Sequence, residues 1–145
     1  MDAITKLYLK ALEPIGDEIS KIANAFDKLA YDFTFESNEP KTLADVANIK
    51  SEFKMLLENF KAQQKLLKGL TPPSNLTNSH SKILASFEKF IDSTNLAIDS
   101  LNGNETGVDL ATFRQGITGQ RSASNEVRAI TDEMVKTVVS NLNGK

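Results

Sequence analysis

The chain's one histidine, His80, sits between two serines in GLTPPSNLTNSHSK. A histidine among hydroxyls invites a nucleophilic reading, in which imidazole takes a proton from serine or threonine and an acid orients the ring. The spacing argues against that reading. Ser79 and Ser81 are chain neighbours of His80, and adjacent residues on a helix point roughly 100° apart, so neither faces the ring. A di-iron centre in a helical bundle needs Glu-x-x-His on two helices, which one histidine cannot supply. The same count excludes His-rich zinc centres and the paired-histidine helix of metalloproteases. With no cysteine, thiol catalysis, disulfides and thiolate zinc sites are gone as well. The glycines of GITGQRSASNE fall within a helical pattern and lack phosphate-loop spacing. Haem ligation by His80 with Met55 or Met134 is formally available, but methionine on a core stripe is ordinary filler. The residues therefore predict no enzyme, no metal and no cofactor.

The reading of His80 is then structural. It should be partly buried at the start of a helix, bonded to Gln63, to Glu13 or to a carbonyl of the Pro-Pro corner. A proton-sensing or ligand role is the functional alternative, because free histidine titrates at about pH 6.5.

Two other places carry candidate function. Gly116, Gly119, Gln120 and Ser124 make one stretch of the last helix poor in apolar surface, with Thr94 and Asn95 opposite. Small residues there either let two helices approach closely or leave a pocket lined by Phe87, Phe90, Phe113 and Ile117. The pocket reading makes Thr94, Phe113 and Gln120 the contacts of a small-molecule or peptide sensor. In YDFTFE, Tyr31, Phe33 and Phe35 crowd a helix end. Three aromatics so close cannot all face the core, so they form either a lid or a contact for a protein partner.

Helices must position all of these residues. Ile4, Leu7, Ala11, Ile15, Ile19, Ile22, Phe26, Leu29 and Phe33 recur in steps of three and four, one stripe of a helix that Pro14 should kink. Thr42 and Asp45 open a second helix in the manner of a capping box. Its stripe is Val46, Ile49, Phe53, Leu56, Phe60, Gln63, Leu67 and Leu70, and Gly69 with Pro72 and Pro73 stops it. A third helix, from about Ser74 to Leu101, carries Leu76, His80, Ile83, Leu84, Phe87, Ile91, Thr94, Ile98 and Leu101. NGNETG breaks it, and a fourth helix carries Leu110, Phe113, Ile117, Gln120, Ser124, Val127, Ile130, Met134, Val138 and Leu142. No stretch alternates with period two. The expected fold is all-α: one domain over residues 1–145, an antiparallel up-down-up-down four-helix bundle with its first helix kinked near Pro14. The sequons at Asn75 and Asn104 are explained by helix-end and loop chemistry.

Charge narrows the partners. Lys and Arg number 17 against 19 Asp and Glu, spread evenly over both halves, so the footprint that duplex nucleic acid requires is missing. No window is apolar enough to span a membrane. Met1–Lys10 has no apolar signal core, so the chain as written reads as cytoplasmic; a surface protein stripped of its leader would look the same.

In LLKGLTPPSNLTNSHSKILASFEKF, Leu70, Pro72, Pro73, Leu76, His80 and Phe87, followed by Gly119 in the last helix, form a pattern. It resembles a loose family of small helical domains in cell-surface lipoproteins of Gram-positive bacteria and in some of their phages. The resemblance implies a helical bundle with no catalytic residues. It departs at the N-terminus, where such proteins carry a signal and a lipid-attachment cysteine. The leading expectation is a non-enzymatic structural or interaction module that binds a protein partner or itself.

Overall fold

The computed structural model describes residues 2–34, 43–101 and 109–143. Phe35, Thr42 and the sequon at Asn104 lie outside them. Four helices account for nearly all of the described chain: α1 (Ala3–Thr34), α2 (Leu43–Lys68), α3 (Thr77–Ser100) and α4 (Leu110–Asn143). No strand occurs among the described residues.

Cross-bundle partners fix the topology. Along α3 and α4 they run in opposite directions, Ser86 meeting Glu126 and Thr94 meeting Gln120. Along α1 and α4 they do the same, Asp27 meeting Arg121 and Phe33 meeting Phe113. Along α1 and α3 they rise together, Tyr8 with His80 and Phe26 with Phe90. Along α2 and α3 they oppose again, Gln64 meeting Glu88 and Phe60 meeting Phe90; sequential neighbours are therefore antiparallel and α1 lies diagonally parallel to α3, the up-down-up-down arrangement.

Local chemistry sets the helix ends. Asp2 caps α1, accepting the Thr5 amide at 2.7 Å. Asp109 caps α4, taking the Thr112 amide at 3.1 Å and its hydroxyl at 2.6 Å. Those bonds hold the Asp109 carboxyl below its ordinary range. At the Pro-Pro corner the Gly69 amide folds back onto the carbonyls of Lys65 and Leu66, both at 3.2 Å. Pro73 is extended, and its carbonyl receives the Leu76 amide at 2.9 Å to start a single 3₁₀ turn, Ser74–Leu76, before α3.

The core is a column of aromatic rings. Phe60 stacks on Phe90 at 4.3 Å and meets Phe87 at 5.0 Å. Phe26 sets its edge on Phe53 at 4.9 Å, and Phe113 reaches both Phe33 and Phe53.

α1 is a single helix through Pro14, and its buried register differs from the expected one at its start. Ile4 and Leu7 are 64% and 68% exposed, while Thr5 and Tyr8 are buried at 6% and 3%. Counting back from Ile15 in steps of three and four reaches Leu12, Tyr8 and Thr5, and that phase keeps every inward residue on one line. Hydrophobicity favoured Ile4 and Leu7; helical phase favoured their neighbours. A one-residue shift of the same kind occurs in α2, where Leu57 and Gln64 are buried and Leu56 and Gln63 lie at the margin. In α4, Leu110 is exposed and Ser124 only half-buried, while Ala123 is inside.

Candidate functional site: the seam between the first and last helices

The two seams flanking α4 differ in character. On the α3 side the helices touch. A methyl added to Gly116 would lie 2.7 Å from the Ser93 carbonyl oxygen and 2.8 Å from Ala97, and one added to Gly119 would collide with the Ser93 side chain. Only glycine admits so close an approach. Polar groups span the seam as well. Ser86 Oγ donates to Glu126 at 2.9 Å, and Lys89 Nζ reaches the same carboxylate at 3.1 Å. The bond from Ser86, and then that from Lys89, holds the Glu126 carboxyl below its usual range.

On the α1 side the helices stand apart. The walls are small where they face each other (Gly16, Ser20 and Ala23 on α1, Ser124 on α4), while Ile83, Phe87 and Phe90 of α3 form a bulky floor between them. A methyl added to Gly16 would meet nothing within 4 Å. The result is an open groove of about 460 Å³, with Leu9, Leu12, Ile15 and Ile19 on one side and Val127 and Val135 on the other. Glu13, Asp17 and Asp132 join its lining against a single cation, Arg128. Val139, one turn beyond Val135, is also exposed. From Leu9 to Ser20 the groove follows α1 for about 17 Å, or three turns.

A second, polar compartment of about 260 Å³ continues the seam, sharing Ser20, Ser124 and Arg128 with the first. It is lined by Asn24, Asp27, Phe90, Gln120, Arg121 and Asn125. Arg121 Nε bonds Asp27 Oδ1 at 3.1 Å across its mouth. Gln120 is 2% exposed. Its Nε2 donates to Thr94 Oγ1 at 2.7 Å, and that hydroxyl donates to the Phe90 carbonyl at 2.8 Å. Gln120 Oε1 is buried with no hydrogen-bond partner.

The residues singled out from sequence fall in three places. Thr94 and Phe113 are wholly enclosed, and Gln120 bridges α3 to the polar compartment on the α1 side. Phe33 packs inward on Phe113 while Tyr31 is exposed. His80 is buried, and its Nδ1 lies 2.8 Å from the hydroxyl of Tyr8, not from Gln63, Glu13 or a corner carbonyl. Burial lowers the His80 pKa and pushes that of Tyr8 up to about 12. The bond therefore joins two neutral groups, and the imidazole tautomer sets which of them donates. The sequence offered a signal for this partner: Tyr8 is the inward residue when the α1 register is counted back from Ile15. The groove itself left none, because periodicity gives the face of a helix and not its distance from the next.

Comparisons with protein-family models, with curated proteins and with solved structures find no match to this chain. Among the described residues no group of three or more metal-binding side chains is assembled, and no helix is long and apolar enough to cross a membrane.

Proposed function

We propose that the chain is a non-enzymatic bundle module that binds a protein partner, and that the partner lays a basic amphipathic helix into the α1/α4 groove. The observation that carries this reading is the groove itself: apolar walls and floor, three turns long, rimmed by three carboxylates against one guanidinium. Helix-in-groove recognition uses anchors at i, i+3, i+4 and i+7, which a channel between two antiparallel helices lying side by side accepts. The acidic rim favours lysine or arginine beside those anchors. His80, neutral and engaged by Tyr8, supports a structural role and not proton transfer. The resemblance of the Leu70–Pro73 corner to helical domains without catalytic residues supports the same conclusion.

The test uses a fluorescein-labelled peptide of about 18 residues, roughly 27 Å as a helix, built from Leu and Lys with Leu on one helical stripe. Anisotropy should report saturable binding to the native chain and binding at least about tenfold weaker, ~1.4 kcal/mol, to Gly16→Leu, which fills the groove. A Leu/Glu peptide should bind neither. Equal affinity for the native chain and Gly16→Leu would refute the reading.

A further inference from the structure

We infer that Gln120 selects the partner, reading one neutral hydrogen-bond donor on the helix that occupies the seam. This rests on the groove reading above and adds to it the chemistry of one contact. A buried carbonyl oxygen without a donor is costly in the free protein, and here that atom belongs to a side chain lining the polar compartment that continues the apolar groove. The orientation of the amide is set by its neighbours. Thr94 gives its proton to the Phe90 carbonyl and so receives the Gln120 Nε2, which leaves Oε1 as the buried, unpartnered acceptor.

The charges of the compartment decide which donor fits. Asp27 is matched by Arg121, and Arg128 adds a cation that pairs with no acid among the described residues. A lysine entering here would meet that positive charge, whereas a carboxylate has no proton to give Oε1. An amide or hydroxyl side chain meets both conditions. The donor is therefore Asn, Gln, Ser or Thr at a single inward position of an otherwise apolar stripe. A lone polar residue in a helix seam fixes register and partner in the same way in coiled coils.

A phage-displayed library of amphipathic helical peptides, randomised at the inward positions, tests this against four proteins: the native chain, Gln120→Leu, Gln120→Met and Gly16→Leu. Thr94 keeps its bond to the Phe90 carbonyl in both Gln120 variants, so thermal unfolding should find them folded. The native chain should enrich Asn, Gln, Ser or Thr at one inward position. Both Gln120 variants should lose that preference and take Leu or Met there. A winning peptide made synthetically should bind Gln120→Leu about tenfold or more weakly than the native chain, while its donor-to-Leu analogue should not distinguish them. Identical winners on the native chain and both Gln120 variants would overturn the inference while leaving the groove intact, as would follow if Oε1 is satisfied by water alone. Equal enrichment on the native chain and Gly16→Leu would overturn the groove reading and this inference together.

Discussion

Gly16 and Gly116 are both interior glycines of long helices, yet alanine should act on them in opposite directions. Glycine in a helix interior costs about 0.5–1 kcal/mol relative to alanine, through the extra freedom of its unfolded backbone. At Gly16 the added methyl meets open space, so the gain should appear in full. Gly16→Ala is expected to stabilise the chain by about 0.5–1 kcal/mol, which raises the midpoint of thermal unfolding by ~2–4 °C. At Gly116 the same intrinsic gain is opposed by contacts of 2.7 Å to the Ser93 carbonyl oxygen and 2.8 Å to the nitrogen and Cβ of Ala97. Two of these three obstacles are backbone atoms, so no rotamer relieves them and α3 must move. Forcing one carbon into such a contact costs about 1–3 kcal/mol, and Gly116→Ala should be destabilising by roughly 0.5–2 kcal/mol once its propensity gain is subtracted. Gly119 supplies an internal control, because the obstacle there is the Ser93 side chain; Ser93→Ala should recover part of what Gly119→Ala loses and nothing of what Gly116→Ala loses. Circular dichroism at the helical minimum, followed through heat and urea, measures all of these. A Gly116→Ala chain as stable as the native one would refute the close α3/α4 contact, and a destabilised Gly16→Ala would refute the open seam.

Tyr8→Phe removes the only hydrogen bond that joins α1 to His80 among those described and leaves Nδ1 buried without that partner, which should cost about 1–3 kcal/mol in urea unfolding; a loss below a few tenths would show the bond to be incidental. His80 also gives stability a pH slope. Its folded pKa lies below the ordinary 6.5, so below that pH the unfolded chain binds more protons than the folded one. The contribution is complete above about pH 6.5 and is lost as pH falls toward the lowered folded value. Urea midpoints should therefore drop between pH 7.5 and 5.5 in the native chain and drop less in His80→Leu; an equal drop in both would assign the slope to other groups.

Most of the fold can be read from the spacing of apolar residues. Val46, Ile49, Phe53, Phe60 and Leu67 hold one inward line in α2, as do Ile15, Ile19, Ile22, Phe26 and Phe33 in α1. The reading slips where polarity and phase disagree. Tyr8 and Thr5 carry hydroxyls and so look like surface beside Ile4 and Leu7, yet a hydroxyl with a buried partner costs little, and His80 supplies one for Tyr8. That partner is 72 positions away, beyond the reach of any local pattern. The glycines of α4 marked a special place without saying which kind. Their spacing is compatible with contact or with a void, and only the distance to Ser93 and Ala97 decides for contact. The α1/α4 groove depends on how far α3's bulky floor holds two other helices apart, a property of three segments at once that is written in none of them singly.

The ties along α1 have a mechanical corollary. Tyr8 fastens one extremity to α3, while Asp27 and Phe33 fasten the other to α4. Between those ties Ile15, Ile19 and Ile22 are buried in the core, so the helix is seated along its middle as well as at its ends. Whatever enters beside it therefore meets a wall held in place, and the stretch of that wall between the two ties is about 28 Å, the nineteen residue steps from Tyr8 to Asp27.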